Sequence, residues 1–331
     1  MKNFLAASAF VFSSLTLAGA AKAECGTISI AEMNWASAGI VANLDKIVLE
    51  KGYGCKVDLV AGDTLPTFNS MNEKGQPDVA PEFWVNSVRT QLDKAVSDRR
   101  LLVGAETLAD GAIEGWWIPK YVADANPRIK TVQQALARPD LFPAPDASGR
   151  GAVYSCPTGW SCQVSTGNLF NALDGKAKNF ELIDTGSSTG LDDSIAAAFA
   201  KKKGWLGYYW APTAILGRYE MVKLSFDVPF DRADWDACTA VSDCANPKVN
   251  SYPISQAFTL MTRQFADKAE VAMDYMKKRK WNNSTVNELL AWQADNKKNN
   301  QEVARYFLQT MPEIWTKWIS PDVAEKIKKS L

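Results

Sequence analysis

Residues 27–60 read TISIAEMNWASAGIVANLDKIVLEKGYGCKVDLV, and their patterning decides the fold class. Thr27 to Glu32 is short, apolar and rich in β-branched residues, a strand pattern. From Ala36 to Lys51 apolar side chains return at Ile40, Val41, Leu44, Ile47 and Val48, which is helical spacing. Gly52 and Gly54 end that helix, and Lys56 to Val60 reads as a second strand. Thr64 to Asn72 then reads as a helix, Asp78 to Ala80 as a short buried strand and Asn86 to Ser97 as a helix. Strand and helix alternate, which argues an α/β lobe with a mainly parallel sheet.

A second α/β unit is expected from residue 113. GWWIPKYVA (115–123) reads as a strand in which Pro119 limits the ladder. Thr131 to Arg138 opens with TVQQ, a capping-box pattern, and a Pro/Gly-rich loop follows over 138–151. Gly151 to Ser155 reads as a strand leading into CPTGWSC (156–162), Val164 to Leu173 as a helix, Leu191 to Lys202 as a helix and Trp205 to Trp210 as a strand. From about Gln256 the chain reads as mostly helical, with Ser320-Pro321-Asp322 a clear helix start. The expected organisation is two lobes, 24–112 with 216–331 and 113–215, joined by a hinge crossed twice. A cleft between lobes is a favoured ligand site.

The first 23 residues read as a secretory signal peptide. Lys2 supplies the positive start, Phe4 to Ala20 is apolar and small, and Ala21-Lys22-Ala23 fits a small-x-small cleavage site. Glu24 is the wrong residue before Cys25 for lipid modification. Loss of Lys2 and Lys22 leaves 35 basic against 37 acidic residues, a net charge of −2. That balance offers nothing to attract nucleic acid. No later run of about 18 residues is uniformly apolar. A periplasmic protein is expected.

Six cysteines in an exported chain argue disulfides. Local pairing of 156 with 162 and 238 with 244 leaves 25 with 55, which flank two runs expected to be neighbouring strands. Histidine is absent. Its absence excludes Ser-His-Asp and Cys-His nucleophiles and makes a metal site a poor reading. Neither a phosphate-binding GxxxxGK[ST] nor a GxGxxG motif occurs, so no cofactor is expected. A secreted hydrolase with a carboxylate pair in an aromatic cleft remains a competing class, although no acid pair is singled out.

Twelve tryptophans are many for 331 residues. Trp281, Trp292, Trp315 and Trp318 fall in helical patterns and read as packing. Trp35, Trp84, Trp160 and Trp210 instead stand at or just past the carboxyl ends of expected strands, two from each lobe. Open α/β sheets bind ligands at those ends. Several aromatic faces on one cleft suit a quaternary ammonium, whose diffuse charge is attracted to ring quadrupoles by about 2 kcal/mol per desolvated contact. Three or four such contacts fit a micromolar dissociation constant, about −8 kcal/mol.

From the start of the mature chain to near its C terminus, the sequence resembles the substrate-binding proteins of ABC transporters for glycine betaine, proline betaine and choline. The resemblance rests on Trp35 after the first strand, QPDVAPEFW (76–84), WWIPKYV (116–122), CPTGW (156–160), and GYYWAP (207–212) followed by RYEMVKL (218–224). It implies a two-lobed type II periplasmic-binding fold that closes on its ligand. It implies an aromatic box for the methylated ammonium, second-lobe polar groups for a carboxylate, a membrane ABC permease as partner and no enzymatic activity. A monomer is expected. Trp35, Trp84 and Trp210 match box positions best, with Trp160 a fourth. Trp116 and Trp117 face opposite sides of a strand, and Trp116 is the choice for the cleft; Trp205 reads as core. Amides at Thr158 and Gly159, just before a helix, are candidates for a carboxylate, with the GSSTG turn (186–190) as rival. No arginine is dedicated to a carboxylate, so choline, carnitine and trimethylamine N-oxide stand beside glycine betaine as ligands. Glu32, Glu82 or Glu114 would suit a hydroxyl or protonated oxygen. Within CPTGWSC, Trp160 becomes the functional residue and the cysteines its mount, limiting the ordering cost of binding.

Overall fold

The computed structural model describes residues 25–146 and 149–331; the expected signal segment, 1–23, lies outside the described residues. In chain order the strands are β1 (Thr27–Met33), β2 (Lys56–Gly62), β3 (Val79–Trp84), β4 (Leu101–Glu106), β5 (Ala112–Pro119), β6 (Gly151–Ser155), β7 (Phe180–Asp184), β8 (Gly207–Ala211), β9 (Met221–Lys223), β10 (Ile254–Ser255) and β11 (Ala257–Thr262). They form two sheets, ordered β2-β1-β3-β11-β4 and β10-β5-β8-β6-β7, with β9 also pairing with β5.

β1 and β2 pair in parallel from Thr27↔Lys56 to Met33↔Gly62. That register sets Cys25 beside Cys55, and they form a disulfide with Cα atoms 5.1 Å apart. Between these strands runs the helix Ala36–Ile47, continued by a π-helical turn, Val48–Tyr53, and closed by Gly54 at φ 77°. The left-handed conformation at that stop is readily adopted by glycine. The helix is buried almost all round because the helix Asn300–Thr310 covers its outer side; a Cβ on Gly39 would lie 2.1 Å from Asn300 Nδ2. Its one buried acid, Asp45, pairs with Arg279 (2.8 Å) and accepts from the Tyr275 hydroxyl, tying the C-terminal return to the first lobe.

Both sheets are mixed. β1 runs parallel to β2 and β3, and β6 to β7 and β8. The strands next to the crossings are antiparallel: β11 to β3 and β4, and β5 to β8, β9 and β10. The helical reading of the last third therefore fails over AFTLMT, which is β11 at the heart of the first sheet. Six apolar and β-branched residues do not reveal by periodicity alone whether they form strand or helix. The expected strand over 115–123 ends at Pro119, and Lys120–Ala125 is helical. By strand pairing the second sheet spans 112 to 255, so a division at 215/216 cuts through it.

The other disulfides join Cys156 with Cys162 and Cys238 with Cys244. Among the late tryptophans Trp281, Trp315 and Trp318 are buried, and Trp292 stacks on Tyr306 at 3.9 Å between centroids. No helix among the described residues is long and apolar enough to cross a membrane.

Candidate functional site

Four strand ends deliver four indoles to one place. Trp35 caps the helix after β1, and Trp84 ends β3. Trp160 caps the helix Ser161–Ala172 after β6, and Trp210 sits one residue before the end of β8. Trp160 stands edge-on to Trp35 at 5.3 Å and to Trp210 at 5.2 Å, favourable T-shaped contacts. The rings border a small cavity whose wall is completed by Thr64, Glu114, Ser161, Cys162 and Tyr208.

The lobe-one rings hang from one buried acid. Glu82 Oε1 accepts from Trp35 Nε1 (2.8 Å), Trp84 Nε1 (3.1 Å) and the Ser37 hydroxyl (2.8 Å). Burial pushes its carboxyl above the usual range, and those three donors together with Arg279 pull the other way. The lobe-two ring of Trp160 is held across the cleft instead. Its Nε1 donates to Asn34 Oδ1, and the Asn34 amide donates to Asp63. Burial raises the Asp63 pKa, opposed by Asn34 and Trp160. Leu65 N donates to the Gly159 carbonyl at 3.2 Å beside this bond. Gly159 has φ 97°, and a Cβ there would meet Asp63 Oδ2 at 3.1 Å, so the lobes approach closely through a glycine.

The carboxyl in the cavity wall comes from β5. Glu114 lies directly opposite Trp210 in the β5–β8 ladder. It accepts from the Tyr208 hydroxyl at 2.7 Å and from the Ser255 hydroxyl. Burial raises its pKa, offset by these two bonds and by Lys223. The Lys223 stem covers Gly115 on the far side of the strand from the indoles. No arginine or lysine lines the cavity among the described residues.

The structure brings Trp35, Trp84, Trp160 and Trp210 together and leaves three expected residues outside. Trp116 is wholly buried, pairs across the ladder with Tyr208 and packs edge-on against Phe226 at 5.6 Å. Its parity is that of Glu114 and its ladder partner Tyr208 does line the cavity, yet the Trp116 ring is not part of the wall. Trp117 faces the other side and donates to the Tyr209 carbonyl. Thr158 is exposed, with its hydroxyl donated to Asp184, and neither Thr158 nor Gly159 is among the residues that line the cavity. The helix starts at Ser161, so the amides next to the cavity belong to Ser161 and Cys162. In the GSSTG turn, Ser187 spends its hydroxyl on capping the helix Ser188–Ala200. Glu32 is engaged by Asn43 and Asn300 away from the cavity. Trp205 is core, stacked on Tyr154.

Tyr208 and Thr64 were not marked by sequence reasoning. Tyr208 had a readable signal, since it precedes Trp210 by two on one strand and so shares its face. Thr64 had none, being one of many polar residues that open a helix.

A family model described as the substrate-binding domain of ABC-type glycine betaine transport systems matches residues 26–310. Among solved structures, the glycine betaine/L-proline-binding protein ProX from Borrelia burgdorferi superposes with a TM-score of 0.70 at 17% identity, covering 91% of this chain and 99% of its own. A choline-binding protein of an ABC transporter, solved with choline, gives 0.71 at 16% identity, covering 92% and 98%. Lactococcal OpuAC, closed on glycine betaine, gives 0.66 at 18%, covering 89% and 100%. At these identities the likeness establishes the two-lobed fold.

Proposed function

The chain belongs to the substrate-binding domains of ABC-type glycine betaine transport systems, and we propose that it captures a methylated ammonium osmolyte between Trp35, Trp84, Trp160 and Trp210. One observation carries this reading: rings from both lobes border a single cavity whose wall holds no basic residue. Each face offers about 2 kcal/mol to a desolvated cation, and a micromolar constant needs about −8 kcal/mol. Only the closed arrangement puts both pairs of rings on the ligand, so ligand shifts the lobes toward closure. The family is one of transport proteins, which sets it apart from the carboxylate-pair hydrolase.

Three disulfides support an oxidising compartment. With the N-terminal signal pattern they support a periplasmic monomer that delivers its cargo to a membrane permease. The lobes we assign by sheet membership, with the second taking residues 112–255.

Glu114 favours a more specific version. A carboxyl that already accepts from Tyr208 and Ser255 disfavours a carboxylate beside it and welcomes a hydroxyl or a protonated oxygen. Choline or trimethylamine N-oxide then fits better than glycine betaine. The amides of Ser161 and Cys162 are the group that would favour the betaine carboxylate instead. Calorimetry of the purified protein with glycine betaine, proline betaine, choline, carnitine and trimethylamine N-oxide separates these. Micromolar binding of at least one is expected, with choline or the N-oxide ahead of the betaines. Binding of none contradicts the function, and a betaine in first place contradicts the assignment to Glu114.

A further inference from the structure

We propose that Glu82 both positions the lobe-one rings and supplies counter-charge to the cage, a role that rests on the methylated-ammonium reading above. Glu82 precedes Trp84 by two on β3, so both side chains leave the same face. Trp35 follows the neighbouring strand β1. A single oxygen, Oε1, holds both indole edges and the Ser37 hydroxyl. The other oxygen, Oε2, is buried with no hydrogen-bond partner among the described residues, and Glu82 as a whole is 0% exposed. A buried polar group left unsatisfied costs about 1–3 kcal/mol, more when charged. An apolar residue here would orphan the two indole N–H groups and the Ser37 hydroxyl, so an acceptor is needed to position the rings.

What the acid adds is charge under the rings. Arg279 is the cation that acts on Glu82, yet its guanidinium is committed elsewhere. Its Nε pairs with Asp45 at 2.8 Å, and its Nη2 donates to the Pro81 carbonyl at 3.0 Å and to the Thr259 hydroxyl. One guanidinium faces two carboxyls, which leaves negative charge in excess beneath the cage when both are ionised. An indole whose N–H donates to a carboxylate also has its ring made more electron-rich, and chained polar groups polarise one another in a low-dielectric interior. A ligand cation on the ring faces gains from both effects. A neutral ligand of the same shape gains from neither.

That asymmetry is the test. Choline and 3,3-dimethylbutan-1-ol, in which carbon replaces the nitrogen, are titrated by tryptophan fluorescence into the wild type, Glu82→Gln and Glu82→Asp. Glutamine keeps an acceptor oxygen for the indoles and removes the charge. We expect about a ten-fold loss for choline and less than about two-fold for the neutral alcohol. Aspartate keeps the charge and draws it back by one methylene, so both ligands weaken while their affinity ratio stays within about two-fold. An unchanged ratio in Glu82→Gln, whether affinity is kept or lost equally, overturns the counter-charge role. A collapsed ratio in Glu82→Asp overturns it as well, and that arm decides if the glutamine variant does not fold. A wild type that binds neither choline nor the other methylated amines contradicts the function itself, a failure separate from this one.

Discussion

The two halves of the cage are held in different ways. Trp35 and Trp84 are tied to Glu82 within lobe one, so their edges are set whether or not the lobes meet. Trp160 is tied to Asn34 of the opposite lobe, and Gly159 beside it meets Leu65 across the same cleft. One half is therefore built by folding and the other is completed by closure. On the proposed function, ligand energy goes into joining them, and occupancy is reported through shape.

The largest expected effect comes from the ring that links the halves. Trp160→Ala removes one cation face, two edge contacts and the cross-cleft bond. Affinity should fall about 100-fold, near 3 kcal/mol, with the far-UV circular dichroism unchanged. If affinity survives and the fold does not, the loop is structural only. Trp84→Ala takes a half-buried ring from the preformed half, and about a ten-fold loss is expected in calorimetry. Ligand-induced compaction in small-angle scattering should persist in that variant, because the cross-cleft bond is untouched. Asn34→Ala leaves every ring in place and removes the acceptor of Trp160. About a five-fold loss is expected, roughly one hydrogen bond, with reduced compaction at subsaturating ligand. Compaction identical to wild type would erase the distinction between the halves.

Smaller effects come from the mount and from the acid behind it. Replacing Cys156 and Cys162 together by serine frees a short ring. It should cost about 2 kcal/mol of stability in denaturant unfolding and only about three-fold in affinity. Asp192 lines a second cavity behind Trp35 and Trp210, and burial raises its pKa to about 6. A carboxyl raised in the folded state binds more protons there than when unfolded. Its cost to stability is therefore absent below about pH 4 and grows as pH rises toward 6. Asp192→Asn keeps an acceptor for the Tyr209 hydroxyl. The variant should melt higher than wild type at pH 7 and match it near pH 4, with affinity unchanged. Equal melting at both pH values would remove the charge from the account.

The α/β alternation of lobe one was legible because each helix and strand carried its own period over enough residues. β11 was not, since a six-residue apolar run just past the return crossing has no period of its own and takes its state from the strands it enters. The four indoles were legible by position, at the ends of strands that could be placed. The error at Trp116 is instructive. Trp116 shares a face with Glu114 and Tyr208, and which of these side chains lines the cavity is set by packing, here against Phe226, that the strand pattern does not show. The polar wall failed for a similar reason. The helix begins inside CPTGWSC, at Ser161, two residues past Gly159, and such boundaries are set by cap geometry more than by composition.

A crystal structure of the wild type with choline shows whether rings from both lobes hold the ligand. The trimethylammonium is expected within about 6 Å of the centroids of Trp35, Trp84, Trp160 and Trp210, with the hydroxyl turned toward Glu114. A ligand bound outside the four rings, or one reached by tryptophans of a single lobe with the cleft open, would contradict the two-lobed cage.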